Sequence, residues 1–508
     1  MTSSASITPR PPGTAIAQVP GSAGGLPRAD PRRWRALAVL GLIQFMLVLD
    51  VTVVNVALPR IQHDLGFSGP GLAWVVNGYV LMAGGLLLLG GRLADIYGRQ
   101  RMFLAGVGMF AAASAACGAA VSPAMLVTSR FVQGTGEALA APAALGLIAV
   151  LFADPKERMK AVGIWGGIAG LGGVSGTVIS GALTGLASWR WIFFINLPVA
   201  LIALVLVPHL APESMMARGR HRIDAAGAVT AAGGLAGVVC GLLQAASRPW
   251  GAWQVLLPLA GGAALLAVMG LMEARSAEPL IPLRFFANRT RVTANLVSLI
   301  FAAAFFTYIF LLTLFEQQVM GYSPLTGGLS YLPFGAALGV GMGLGTALMP
   351  RLGVKPVLSA AFFGAAAGLL LTSGIGPGVS YAGDILPGMV MLGVSAGLSF
   401  PAILNAALHQ VTDQDSGLAS GVQTAMQQAG GALGLACLVT LAIRHAAGQM
   451  HRGVPLAVAI TRGDVVSFRI GAALLAAGAM LVLVLLERVT AQPRNPAAEL
   501  TPDTRSTP

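Results

Sequence analysis

The stretch ALAVLGLIQFMLVLDVTVVNVAL, residues 36–58, sets the class of the whole chain. It carries a single charge, Asp50, and three neutral polar residues, Gln44, Thr52 and Asn55, in an otherwise apolar run. At ~1.5 Å of rise per residue such a run spans the ~30 Å hydrocarbon layer. Similar blocks recur near 72–91, 102–120, 125–150, 161–183, 191–208, 225–245, 252–272, 293–315, 326–350, 356–374, 381–404, 417–441 and 466–487. The composition agrees: of 508 residues 56% are hydrophobic and only 10% charged, with a mean hydropathy of +0.77. A soluble domain carries about a quarter charged residues. The sequence therefore predicts an all-α polytopic membrane protein with 14 transmembrane helices, as two six-helix bundles plus two inserted helices.

The predicted organisation is a disordered cytoplasmic tail (1–35) and a first bundle (36–208). A linker with the two additional helices (209–272) and a cytoplasmic linker (273–292) follow, then a second bundle (293–487) and a C-terminal tail (488–508). No apolar signal-peptide core precedes a small-residue cleavage site in the N-terminal tail. With the N-terminus inside, 23 basic residues fall on the cytoplasmic side and seven on the other, with Arg130 inside a helix. This positive-inside bias, with an even number of predicted helices, places both termini in the cytoplasm and explains the net charge of +12 without nucleic acid. The segment 442–465 dissents, because it places Arg444, Arg452 and Arg462 outside. Cys117, Cys240 and Cys437 are far apart and read as small core residues.

Asp50 lies roughly 21 Å into the first predicted helix. An ionised carboxylate facing lipid there costs on the order of 3 kcal/mol, so it must face a cavity, pair or carry a proton. It is either a proton-binding or cation-attracting group, or an inert interhelical hydrogen bond. Arg130 and Glu137 are seven residues apart on the fourth predicted helix, share a face about 10 Å apart and bracket Gln133. If both helices face one cavity, Asp50, Arg130 and Glu137 form an acidic–basic–acidic array for proton exchange. A permanent Arg130–Asp50 pair is the other reading.

Glu316 and Asp384 sit at predicted outer helix ends, where headgroup-level solvation is the simpler account and an outer vestibule the functional one. The ninth predicted helix carries Phe305, Phe306, Tyr308, Phe310 and Phe315 ahead of Glu316, Gln317 and Gln318. These aromatic rings either line a pocket for lipophilic cations or pack the bundle. Between the second and third blocks, Gly91 to Arg101 forms a charged turn in which Asp95 can pair with Arg99. It is a static staple or one that switches with access state. The fifth block is glycine-dense, Gly176 included, which suits close packing and bending alike.

These segments together resemble the major facilitator superfamily, and within it the fourteen-helix drug:proton antiporter branch (EmrB/QacA-like), over about residues 35–490. Leu49 to Pro59, with Asn55 inside it, is similar to that branch's first-helix signature. Gly91 to Arg101 resembles the superfamily's inner-loop signature, which implies gating by Asp95 and Arg99 with Gly91 and Gly98 at the turn. Arg130, Gln133, Gly134 and Gly136 resemble the signature tied to proton coupling, and Trp189 to Pro198 the sixth-helix entry. Gly321 to Pro324 and Gly417 to Gly421 resemble segments of the second half. The chain departs from the pattern in three places. In the fifth block Thr177 follows Gly176 where proline is usual and Ser180 precedes Gly181 where a double glycine is usual; Gln427 stands where arginine is common, and Glu316 replaces an apolar residue.

The resemblance implies proton-coupled export of drug-like, antibiotic or lipophilic cationic compounds by alternating access. Protons are the coupling ion; Asp50, Arg130 and Glu137 carry the coupling, and Asn55, Gln133, Phe305, Tyr308, Glu316 and Gln317 meet the substrate. The alternatives are export of an endogenous metabolite, lipid or siderophore, or a scaffold or sensor that transports nothing. No nucleophile, metal-ligand or Walker-type spacing points to an enzyme, a resident cofactor or ATP coupling. The expected partners are a small-molecule substrate and membrane lipid, with the monomer as working unit.

Overall fold

The computed structural model describes residues 32–152, 154–211, 213, 225–275, 287–376, 378–411 and 416–487, with some side chains inside 155–174 excepted. The expected C-terminal tail, residues 1–31 of the expected N-terminal tail and 276–286 of the expected linker lie outside them. The helices in chain order are α1 (Arg33–Leu65), α2 (Gly69–Gly85), α3 (Leu87–Tyr97), α4 (Arg99–Gly118), α5 (Pro123–Leu151), α6 (Pro155–Leu186), α7 (Trp191–Phe194), α8 (Asn196–Leu210) and α9 (Ala225–Gln244). They continue as α10 (Trp253–Arg275), α11 (Arg289–Gln318), α12 (Pro324–Ser330), α13 (Leu332–Leu352), α14 (Val354–Thr372), α15 (Leu386–Ala407), α16 (Ser416–Gly434), α17 (Thr440–Met450) and α18 (Leu456–Leu485). Two π-helical turns, Tyr381–Ile385 and Leu435–Val439, lead into α15 and α17.

Local chemistry fixes several helix starts. Ser68, Ser122 and Ser323 cap α2, α5 and α12 by accepting from the backbone N–H of Gly71, Met125 and Thr326, each with a proline in the first turn. A serine cap satisfies an orphan donor, and proline there removes a donor that would have had no partner. At the α3–α4 turn Gly98 adopts φ 107°, a backbone conformation that side chains other than glycine's resist.

The helices pack as two groups. In the first, α1 lies on α6 and α8, and α5 on α2, α3 and α4. In the second, α15 lies on α13 and α14, and α18 on α11, α14 and α17. The hairpin α9–α10 rests on α2 through α9, while Leu256, Leu257 and Leu271 of α10 stay exposed. The groups meet where α2 packs on α16, α6 on α12 and α1 on α11. The end of the molecule that holds Arg33 and the α3–α4 turn is called the near end, and the end that holds Gly66 and the α11–α12 turn the far end.

The expected count of fourteen transmembrane helices requires correction. Among the described residues twelve helices are long and apolar enough to cross a membrane, or thirteen with one bent pair taken as a single span. The expected second span, 72–91, breaks at Leu86, where α2 and α3 meet at 47° and neither piece is long enough alone. The glycine-rich block 161–183 lies in α6, whose side chains are only partly described, and it does not enter the count.

Small residues let the helices approach closely. A Cβ placed on Gly397 of α15 would run into the Leu338 carbonyl of α13, whereas one on Gly339 meets nothing within 4 Å. Gly397→Val is therefore expected to destabilise the detergent-purified protein by at least about 1–3 kcal/mol in thermal unfolding. Gly339→Val is expected to stay within about 0.5 kcal/mol of the parent.

Candidate functional site

Asp50 reaches the centre of the first helix group with 0% exposure, and Arg130 of α5 meets it with 1%. Arg130 Nη1 donates to Asp50 Oδ2 at 2.5 Å. Asp50 Oδ1 accepts from Gln133 Nε2 at 2.8 Å and from Asn196 Nδ2 at 2.9 Å. Arg130 also donates through Nε to the Val75 carbonyl of α2 at 2.8 Å and through Nη1 to Gln133 Oε1 at 2.8 Å. Its guanidinium lies 4.2 Å from the Tyr79 ring centroid, within cation–π range. Ser114 of α4 accepts from Asn196 at 3.0 Å and donates to the Phe193 carbonyl at 2.8 Å. A buried ion pair holds only when its remaining lone pairs and protons are satisfied, and here α2, α5 and α8 supply the partners, with α4 and α7 behind Asn196.

The structure thus brings Asp50, Arg130 and Gln133 together, and it closes the expected opening: the Asp50 carboxylate is sealed inside its group instead of facing a water-filled cavity. Glu137 lies one turn beyond Gln133 and outside the network. It lies close enough to Tyr79 for the two to interact electrostatically, yet among the described residues neither Glu137 Oε2 nor the Tyr79 hydroxyl has a hydrogen-bond partner. Asn55 donates only to the Val51 carbonyl, at 3.3 Å. Gln133 has both ends of its amide engaged in the ion-pair network.

At the near end Arg99 donates to Asp95 Oδ1 at 3.0 and 3.2 Å and to the Gly146 carbonyl of α5 at 3.1 Å. Glu213 accepts from the backbone N–H of Gln100 and Arg101 and crowds the Cα of Gly98. Gly91 packs against Pro142, and Gly176 against Thr52 of α1.

Glu316 has 0% exposure, which overturns its headgroup-solvated reading. Its Oε2 accepts from Ser330 Oγ at 2.8 Å, and its Oε1 has no hydrogen-bond partner among the described residues. Asp384 is exposed and accepts from the Ser380 N–H, as a solvated helix-start residue does. Gln317 Nε2 donates across the groups to the Val56 carbonyl at 2.8 Å, and Gln318 to Gln62 at 3.1 Å. Phe305 sits among Phe301, Phe306, Phe334 and Phe400, whereas Tyr308 turns toward Phe468 and Thr372. The aromatic residues of α11 therefore serve two surroundings.

Asn196 stood out in the sequence only through the family resemblance, and Ser114, Tyr79 and the Val75 carbonyl not at all. Neutral polar residues are common in membrane helices, and a backbone carbonyl leaves no mark in sequence. Asp464 of α18 is a further buried acid that the sequence reading passed over as part of an outer segment.

Residues 40–435 match the Major Facilitator Superfamily. The chain is 36% identical over 496 residues to puromycin resistance protein pur8 of Streptomyces alboniger, covering 97% of this chain and 98% of that protein. It is 39% identical over 418 residues to the lincomycin resistance protein of Streptomyces lincolnensis, covering 80% and 84%. Among solved structures it resembles the D-xylose-proton symporter with a TM-score of 0.63 at 16% identity, covering 90% of this chain and 98% of that one.

Arg130→Ala would leave the Asp50 charge buried without its counterion. It is expected to destabilise the purified protein by about 3–5 kcal/mol in thermal unfolding. Asp50→Asn added to Arg130→Ala is expected to recover part of that loss, which a double-mutant cycle measures.

Proposed function

The chain belongs to the Major Facilitator Superfamily, and from that premise we propose that it exports drug-like or antibiotic compounds in exchange for protons. The observation that carries the export reading is the 36% identity to a puromycin resistance protein over nearly the full length of both chains. It is a membrane transporter related to bacterial drug-resistance exporters, and not an enzyme. The finer reading is the antiporter branch of the family, working as a monomer in the bacterial inner membrane with both termini cytoplasmic.

Asp50 is the proposed proton carrier. As a carboxylate it accepts from Arg130, Gln133 and Asn196 at once. Protonation removes the negative charge, weakens the hold on Arg130 and frees α1, α5 and α8 to shift against one another. Coupling requires that this protonation differ in free energy between the two access states. Each charge moved inward contributes about 2.3 kcal/mol per 100 mV. Glu137 beside Tyr79 is the proposed relay toward the near end.

The substrate path runs between the groups, where α1 faces α11. Asn55, Phe305 and Gln317 line it in this reading, and Glu316 draws cations to its far end. Gln133 and Tyr308 support it indirectly. The Asp95–Arg99 staple, with Gly91 and Gly98 allowing close approach, controls the near end, and Gly176 lets α6 shift against α1 at the depth of Asp50.

Uptake into inverted vesicles under an imposed pH gradient, across a chemically varied drug panel, tests the reading. Asp50→Asn, which leaves Arg130 buried without its counterion, is expected to reach the membrane in reduced amount and, with uptake normalised to the protein present, to lose pH-driven uptake. Parental proton dependence in that variant removes Asp50 from the coupling role.

A further inference from the structure

Glu316 is fully buried at the far end of the second helix group, and among the described residues no cation pairs with it. The titratable groups that act on it are phenols: Tyr331 after α12, Tyr381 of the π-helical turn before α15, and Tyr308 about two turns earlier on α11. α12, α15 and the far half of α6 carry no charged side chain, and Arg351 of α13 is at the near end. At the far end of α1, Arg60 and His63 approach Asp64 at 3.6 and 3.2 Å, and Asp384 accepts from the Ser380 N–H. α18 packs on the Tyr308 side of α11, with Arg462 and Arg469 beside Val319 and Met320. A lone carboxylate is too costly in such surroundings, whereas a neutral carboxylic acid is tolerated.

The hydrogen count points the same way. The Ser330 hydroxyl has one hydrogen and two acceptors in reach, Glu316 Oε2 at 2.8 Å and the Gly327 carbonyl at 2.7 Å. With Glu316 ionised, Ser330 can serve only one of them. With a proton on Oε2, Glu316 donates to Ser330 and Ser330 donates to Gly327, so both contacts are hydrogen bonds. α12 covers this carboxyl, and the first group holds α12 from the other side. A Cβ on Gly328 would meet the Thr177 carbonyl of α6, and one on Gly181 the Pro324 carbonyl of α12. Parting the groups at the far end removes that support and lets water reach Glu316. Toward the near end, Phe305 lies on the same face of α11, eleven residues or about 16 Å away, among Phe301, Phe334 and Phe400. Those rings offer a proton no polar step.

We propose that Glu316 is a proton-operated latch set from the far side, protonated under α12 when the far end is closed and ionised in water when it is open. Its proton comes from and returns to the far-side solution and is not carried across, which separates its role from that of Asp50. The ionised form is the one that draws cations to the open far end. The inference rests on the two access states of the export reading, and not on the cargo.

Pulsed electron spin resonance on the full chain in lipid nanodiscs tests it. Spin labels go on Val121→Cys and Leu456→Cys, exposed far-end positions on different groups, with Cys117, Cys240 and Cys437 replaced by alanine. Raising the pH is expected to increase the ratio of long to short distances at least about tenfold over roughly two pH units, as one linked proton allows. Glu316→Gln, which keeps the shape of the neutral acid, is expected to stay short at every pH. Glu316→Leu, which places an apolar side chain there, is expected to do the same. A distance in the parent that ignores pH overturns the proposal, and so does a parental pH response in either variant. The readout needs no substrate, so failure of drug uptake with the distance response intact counts against the export reading alone.

Discussion

A carboxylate and a guanidinium buried together in the middle of a membrane helix group constrain everything around them. Taking such charges out of water costs several kcal/mol per ion, on the order of what their attraction returns. The pair persists because its other hydrogen-bonding positions are also filled. Asp50 is reached by donors from α5 and α8, and Arg130 by the Val75 carbonyl of α2. Ser114 of α4 ties Asn196 to the Phe193 carbonyl of α7. Each bond fixes the depth and rotation of a helix, so the network sets the register of the first group. Apolar packing alone would leave a membrane helix free to slide by a turn, because lipid tails and leucine side chains are equally apolar.

What the sequence disclosed follows from which costs are large. A lone Asp50 or Arg130 inside an apolar block is expensive enough that pairing stood among the readings before any contact was known, beside a water-facing cavity and a bound proton. Gln133 was expected to meet the substrate; its place three residues from Arg130 on one helix face instead puts both ends of its amide into the ion-pair network. Asn196 and Ser114 were harder to read, since one neutral polar residue in a membrane helix is tolerated anywhere. Glu316 was misjudged for a geometric reason. Sequence gives the depth of a residue along a helix and not the neighbour it faces, and α12 folds back to bring Ser330 over its carboxylate. The aromatic run of α11 failed likewise as a single surface, since Phe305 meets α13 and α15 while Tyr308 meets α14 and α18. At fold level the apolar blocks located the helices well. The break at Leu86 was hidden, because GGLLLLGG (84–91) reads as continuous apolar sequence whether straight or bent.

The contacts divide by strength in a way that bears on motion. Within the first group lie the Asp50–Arg130 pair, the bidentate Arg33–Glu157 pair at 2.7 and 2.8 Å and the Asp95–Arg99–Gly146 staple. Between the groups the contacts are lighter. Leu88 packs on Gly421 and Gln428 on Gly84 toward the near end, and Gly181 on Pro324 and Leu325 toward the far end. The polar links at the far end are amide bonds from Gln317 and Gln318. Such neutral hydrogen bonds are each worth about 1 kcal/mol net, whereas breaking a buried ion pair costs about 3–5 kcal/mol. Two groups joined this way can rock as rigid bodies and exchange glycine-lined contacts at modest cost. The ion pair travels inside its own group, so rocking alone does not break it. A change in the charge of the pair is then the means by which an event at the centre of one group can alter how that group meets the other.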